Sequence, residues 1–398
     1  MDNGYIFLLV FLSLTLGWIF GFYSKSKKNQ ATNPLNLSGN MKHRLQLLFD
    51  SYSDESIDRF IQSLEVTSET LPLHLSIGKH FRAQGEVEKA ILVHQNLMSH
   101  PELSSRASEN IIFELAKDYK AAGLFDRAQA LLHQLKSSKL FLVNSLKLLL
   151  DIHEAEKDWT AALNEASFID LKKHKDIALR VAQYYCEIAD KFLKEGLIRE
   201  SIGSYKQALS VYKGCYRAHL GLAKNAFNKQ EYTEVIQHLK WLIGIAPEQI
   251  TLALPLLLRA TKETNSFDSH QQYLFKLLGD TGQIPVMLAI VESMEEEGDI
   301  KKAVSFLFEY LQKVPSLAGL DRLFKLDPLK EYSSQDLIAL MISVLDVIHL
   351  DGQEYKCGSC GYTGGQLHWL CPSCKSWQTI KPVIQYEAVL SEIKCGVN

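Results

Sequence analysis

Proline and glycine are scarce, 10 and 22 of 398 residues, so the chain is neither linker-rich nor of low complexity. The formal net charge is only −3, and Lys and Arg form no cluster beyond one short run. That removes the electrostatic case for nucleic acid. Common catalytic signatures are missing too. There is no Gly-x-x-x-x-Gly-Lys-Ser/Thr phosphate loop, no Gly-x-Gly-x-x-Gly, no Gly-x-Ser-x-Gly elbow and no His-Glu-x-x-His. Ile77-Gly78-Lys79-His80 lacks the upstream glycine of a phosphate loop and falls within helical periodicity. Glu295-Glu296-Glu297 reads as a solvated helix end before a turn at Gly298. Strand patterning is almost absent between about His43 and Leu350. The chain is 46% apolar, enough to fold, but no residues suggest turnover, and it is not expected to be an enzyme.

Cysteine is also sparse, yet four of the seven lie within one stretch of eighteen residues, Cys357-Gly-Ser-Cys360 and Cys371-Pro-Ser-Cys374. Two Cys-x-x-Cys pairs at this separation can set four thiolates at the corners of a tetrahedron around one metal ion, zinc or iron. Gly358 and Gly361 are expected to permit the strained turn of the first knuckle, and Pro372 to stiffen the second. A tetrathiolate has no open position, which favours a structural metal; electron transfer by iron remains an alternative. His349 and His368 flank the region and fit a surface role better than ligation. Tyr355, Tyr362, Trp369 and Trp377 surround the knuckles and are expected to form a miniature core. Cys186, Cys215 and Cys395 are far apart in sequence and read as free thiols.

Residues Gly4 to Tyr23 contain no charge. As a helix rising 1.5 Å per residue this run spans about 30 Å, the thickness of a bilayer's hydrocarbon core. Tyr5, Trp18, Phe22 and Tyr23 place aromatic rings near both ends. A cleaved signal peptide fits less well, because no basic region precedes the run and no small-x-small site follows it. Lys25, Lys27 and Lys28 come next, so the positive-inside rule predicts a single-pass anchor with everything after about residue 24 in the cytoplasm. Residues 25–42 then read as a linker containing Pro34 and Gly39.

From 43 to 350 similar segments recur. GKHFRAQGEVEKAILVHQNL (78–97) and AKDYKAAGLFDRAQALLHQL (116–135) share a small residue, an aromatic three later, a turn glycine and an alanine twelve after the start. This is the tetratricopeptide pattern, in which small residues let two helices approach while large ones fill the seam. The small position of the second helix recurs as Ala90, Ala128, Ala162, Ser201, Val235, His270 and Ala303. The intervals scatter around the repeat length, with the longer ones assigned to extended turns between repeats. The sixth unit, with His270, is degenerate; a half-repeat at 50–64 and a pair at 317–350 would cap the array. Such repeats build a superhelix with a concave binding groove. The expected architecture is all-α: a transmembrane anchor at 1–24, a linker at 25–42, repeats at 43–350, a small rubredoxin-like metal knuckle domain at 351–385 and a tail at 386–398.

That order of parts, with FRAQGEVEKAILVHQNLMSHPEL (81–103), ELAKDYKAAGLFDRAQALLHQL (114–135) and YKCGSCGYTGGQLHWLCPSCKSWQTIKPV (355–383), resembles the lipopolysaccharide assembly protein B family of Gram-negative bacteria. The resemblance covers essentially the whole chain, except that the sixth repeat and the tail after Val383 depart from it. It implies a non-catalytic adaptor of the inner membrane that regulates lipopolysaccharide synthesis by promoting degradation of the lipid A deacetylase by the membrane protease FtsH. It also implies contacts with other lipopolysaccharide-synthesis or transport proteins, and leaves a homodimer open. Cys357, Cys360, Cys371 and Cys374 match the family's metal ligands, iron or zinc, and the metal would hold the C-terminal module in the groove of the repeats. The alternative is a membrane-tethered scaffold for envelope assembly without control of proteolysis.

Overall fold

A computed structural model describes residues 66–67, 69–100, 103–264, 267–347 and 355–383. The expected anchor at 1–24, the linker at 25–42, the half-repeat at 50–64, His349, Cys395 and the tail at 386–398 lie outside the described residues. Among the described residues no helix is long and apolar enough to cross a membrane. The chain divides into two compact units, Met1–Ile152 and His153–Asn398.

In the first unit α1 (Leu71–Gln84) pairs with α2 (Val87–Met98) and α3 (Ser105–Ala121) with α4 (Phe125–Gln134); α5 (Leu142–Glu156) follows, and its last residues, from His153 on, belong to the second unit. Pro72 sits in the first turn of α1, where its missing N–H costs nothing, and the Ser104 hydroxyl caps α3 by accepting from Ala107 N. Ile77, Phe81, Ala90 and Val93 form one core cluster; Leu71, Leu75, Leu97 and Ile111 form another. A buried ionic network crosses the first three helices. Arg82 donates to Asp118 at 2.6 Å and to Glu114 at 2.7 Å, while His94 shares the other Asp118 oxygen. Gly78 leaves room for this histidine, since a Cβ there would lie 2.5 Å from the His94 ring.

The second unit continues with α6 (Trp159–Ala166), α7 (Lys175–Lys194), α8 (Ile198–Val211), α9 (Tyr216–Asn228), α10 (Tyr232–Ile245), α11 (Ile250–Glu263), α12 (Phe267–Thr281), α13 (Ile284–Glu296) and α14 (Ile300–Lys313). Two closing helices follow, α15 (Leu317–Lys325) and α16 (Ser334–Val347). A single core runs from Tyr216 on α9 to Val344 on α16.

The helices are paired by one repeated turn. Glu86, Leu124, Asp158, Leu197, Glu231 and Asp299 each donate N–H to the carbonyl five residues earlier, at 2.8–3.0 Å. The residue before each donor is left-handed: Gly85, Gly123, Gly196 and Gly298 in four turns, but Lys157 (φ 57°) and Gln230 (φ 65°) in the other two. Ala90, Ala128, Ala162, Ser201, Val235 and Ala303 are all fully buried at the pair seams. The long spacings before Ala128 and Ser201 are taken up between pairs, at 99–104 and 167–174. The degenerate sixth unit still forms its pair, α11 and α12, although Pro255 lies inside α11.

The all-α expectation holds for the repeats and not for the C-terminal module. There β1 (Tyr355–Cys357), β2 (Thr363–Gly364) and β3 (Ile380–Pro382) form an antiparallel sheet in the order β2-β1-β3. Knuckles need short extended arms to carry them, and those arms pair with one another.

Candidate metal centre and its docking surface

The two knuckles are the same local structure built twice. In the first, Cys357 N–H donates to Tyr362 O at 2.7 Å and Gly361 N–H to Cys357 O at 3.0 Å. In the second, Cys371 N–H donates to Ser376 O at 2.9 Å and Lys375 N–H to Cys371 O at 3.0 Å. Equivalent positions take equivalent backbones, so Gly361 (φ 77°) is matched by Lys375 (φ 55°). Only Gly361 meets the expectation of a strained turn. Gly358 has no left-handed φ, a Cβ there would make only an ordinary contact with Thr379 O, and Pro372 fills the matching place in the second knuckle.

The four sulfurs of Cys357, Cys360, Cys371 and Cys374 lie within 4.8 Å of one another. Cys357 Sγ is 3.8 Å from Cys374 Sγ, and Cys360 Sγ is 3.8 Å from Cys371 Sγ. A tetrahedron with metal–sulfur bonds of about 2.3 Å has edges of about 3.8 Å, so the donor set fits one tetrathiolate-bound ion. Burial pushes the Cys357 thiol up, but the Thr379 hydroxyl, 3.1 Å away, and the backbone N–H groups of Cys360 and Ser359 bring it down to about 6. At Cys371 burial outweighs the N–H groups of Cys374 and Ser373, and the thiol rises to about 11. The Ser376 hydroxyl and N–H lower Cys374. No histidine joins this group among the described residues.

The tryptophans do something other than form a miniature core. The core of the module is Cys357, Cys371 and Ile380, with Tyr355, Tyr362 and Leu367 packed against it. Trp369 and Trp377 instead face the repeats. The Trp377 indole is 5% exposed and donates to Glu154 Oε1 at 3.1 Å, an oxygen that also accepts from Arg180 Nε and the Tyr184 hydroxyl. Its ring stands edge-on to Trp159 and Tyr184, centroids 6.2 and 6.5 Å away. Trp369 packs on Tyr216 and lies under the Arg217 guanidinium, 5.2 Å from its centroid. Arg217 is itself buried and held by Glu187 at 2.8 Å and Asp190 at 2.6 Å. At the far edge the buried Gln249 donates to Ile380 O at 3.0 Å, and Lys381 pairs with Glu248 at 2.9 Å.

The metal knuckle and the docking tryptophans are coupled through backbone hydrogen bonds. Leu370 pairs with Trp377 as an isolated bridge, and Gln378 N–H donates to Trp369 O at 2.8 Å. Both tryptophans therefore flank the Cys371–Cys374 turn, and closing that turn sets them side by side. On the repeat side the partners come one or two per pair: Glu154 from α5, Tyr184 from α7, Tyr216 and Arg217 from α9, and Gln249 from the 3-10 turn before α11. Sequence reasoning did not single these out. The available signal was polar or aromatic residues recurring roughly one repeat apart on first helices, opposite two tryptophans too large for their own module.

A description of known protein families matches residues 355–382 to a rubredoxin metal binding domain. Lipopolysaccharide assembly protein B of Escherichia coli (strain K12) is 26% identical over 381 residues, covering 95% of this chain and 97% of that one. The protein of the same name from Haemophilus influenzae is 28% identical over 392 residues, covering 96% and 98%. Among solved structures, a tetratricopeptide repeat protein from Parabacteroides merdae aligns with 70% of this chain at 11% identity and a TM-score of 0.33, too loose a likeness to bear on function. A helical-repeat chain carrying a rubredoxin-type metal domain at 355–382, it is similar to lipopolysaccharide assembly protein B along nearly its whole length.

Proposed function

We propose that this protein acts in lipopolysaccharide assembly as a non-catalytic adaptor of the inner membrane. The observation that carries the reading is similarity to lipopolysaccharide assembly protein B over 95% of the chain, from before the repeats through the metal domain. In this reading Gly4 to Tyr23 anchors the chain and the repeats face the cytoplasm. One surface holds the protease FtsH and another the lipid A deacetylase, so that the enzyme is degraded when both are engaged. Confinement beside other membrane proteins raises the effective concentration of such partners, as any tether does. Other lipopolysaccharide-synthesis or transport proteins would be gathered in the same way.

Cys357, Cys360, Cys371 and Cys374 hold one metal ion, zinc or iron, in this proposal. The ion ties the knuckles together and supplies no reaction chemistry. The chain's own residues do the rest: Trp369 and Trp377 seat the module, while Glu154 and Arg217 orient the two indoles.

Depletion of the protein in its host, followed by arrest of protein synthesis, tests the reading through the half-life of the deacetylase. A markedly longer half-life with rising lipopolysaccharide is expected. An unchanged half-life beside a lipopolysaccharide defect would sink proteolytic control and leave the scaffold.

A further inference from the structure

Two thiols lie beneath the seat of Trp369. Cys186 on α7 and Cys215, the residue before α9, are fully buried with their sulfurs in contact at 3.6 Å. They share a small core cluster with Ala182, Ala189, Ala208 and Ala218. A disulfide needs its sulfurs at about 2.0 Å, so a closure of about 1.6 Å would join them.

The two thiols are unequal. Cys215 stands at a helix N-terminus, and the Gln183 amide donates to its sulfur at 3.4 Å. The Cys186 thiol, Arg217 and Gln183 lower the Cys215 thiol against its own burial, whereas burial raises Cys186. The same groups reach the docking surface. Gln183 accepts from Arg217 at 3.3 Å, and Glu187, the neighbour of Cys186, holds Arg217 from the other side. Tyr216 and Arg217, which seat Trp369, directly follow Cys215 in the chain.

We propose that Cys186 and Cys215 are a peroxide-sensitive pair whose disulfide loosens the metal module. The Cys215 sulfur attacks one oxygen of hydrogen peroxide. An S–O bond forms, the O–O bond breaks, and the departing hydroxide takes the Cys215 proton and leaves as water. Cys186 then attacks the Cys215 sulfur. The S–S bond forms, the S–O bond breaks, and a second hydroxide leaves as water with the Cys186 proton. The pair gives two electrons to the peroxide, and a dithiol reductant restores both thiols by exchange, itself becoming the disulfide. Because both sulfurs are out of solvent's reach, the oxidant is one hardly larger than water. Closing the bond draws the start of α9 toward α7 and shifts Tyr216 and Arg217 against the Trp369 ring.

Treating the metal-loaded protein with hydrogen peroxide and digesting it with trypsin tests this. Peptides 181–191 and 214–217 are expected to emerge joined and to separate with dithiothreitol. Hydrogen exchange across 355–383, at unchanged metal content, should rise roughly tenfold, the weight of a desolvated cation–π contact, and fall back on reduction. Cys186→Ala and Cys215→Ala each keep a small apolar residue in place and should show neither effect. Acceleration that persists in both variants comes from the exposed knuckle thiols Cys360 and Cys374 and overturns the proposal. Joined peptides with unchanged exchange overturn it too, and so do peptides that stay separate while the knuckle thiols oxidise.

Discussion

Replacing Trp377 tests whether the metal module is clamped to the repeats. The indole is buried, stands edge-on to two rings and gives its N–H to a carboxylate. Removing a buried tryptophan side chain costs about 3–5 kcal/mol through lost contacts and the space left behind. Trp377→Phe keeps a ring against Trp159 and Tyr184 and deletes only the donor. Glu154 Oε1 still accepts from Arg180 and Tyr184, so no bare buried charge is created, and the loss should be about 1–2 kcal/mol. Hydrogen exchange across 355–383 in the metal-loaded protein reads these figures as opening equilibria. Every 1.4 kcal/mol is tenfold, so Trp377→Ala should open the module a hundredfold or more and Trp377→Phe roughly tenfold, with metal content unchanged. Wild-type protection in Trp377→Ala, or equal damage from both substitutions, would refute the clamp.

Stripping the metal with a strong chelator should expose Trp369 and Trp377, seen as a red shift in their emission that reverses on reloading; unchanged emission would separate the knuckle from the docking. Lys375→Gly should slow metal loss, because a left-handed backbone costs a side-chain-bearing residue about 1 kcal/mol, while Lys375→Val should speed it; chelator competition measures both. Gly78→Ala and Gly221→Ala should each destabilise their unit by about 1–3 kcal/mol in urea unfolding, since the added methyl meets the His94 ring at 2.5 Å and the Tyr205 ring at 2.3 Å. Burial, with His238 beside it, lowers His219 from the ordinary 6.5 to about 4. The unfolded chain therefore binds the extra proton between pH 6.5 and 4, and the second unit should lose stability as pH falls through that window. His219→Gln should flatten this dependence in urea midpoints taken at pH 7 and pH 4.5, and an unchanged slope would count against it.

The four ligand cysteines and the helix pairs were legible because both are written at short range, in Cys-x-x-Cys spacing and in small residues at pair seams. Less was legible wherever the fold joins residues a repeat apart. Cys186 and Cys215 read as free thiols far apart in sequence, yet both are buried, and their sulfurs lie 3.6 Å apart, Cys186 on α7 and Cys215 at the residue that precedes α9. The docking partners of the tryptophans were hidden for the same reason, since Trp377 and Glu154 are separated by 223 residues. Backbone demands were also partly invisible. Lys157, Gln230 and Lys375 take left-handed conformations that the sequence marks with glycine at the equivalent Gly85, Gly123 and Gly361, because the surrounding hydrogen bonds impose the turn on whatever residue is there.

The sizes of the two interactions order the events at the C-terminus. A tetrathiolate metal contributes on the order of 10–16 kcal/mol to folding in small metal-binding domains. The docking contacts amount to less: about 3–5 kcal/mol for Trp377, no more than that for Trp369, about 1 kcal/mol for the Gln249 bond and little for the exposed Lys381 pair. A module whose own core is two cysteines and one isoleucine buries too little to fold on its packing alone. Its fold therefore comes from the metal and its position from the tryptophans. Because Trp369 and Trp377 flank the second knuckle, loss of the metal removes the clamp as well. The surfaces of Tyr184, Tyr216 and Arg217 are then exposed together. The metal-free protein should thus differ from the loaded one in the surface its repeats present, and not only in the module itself.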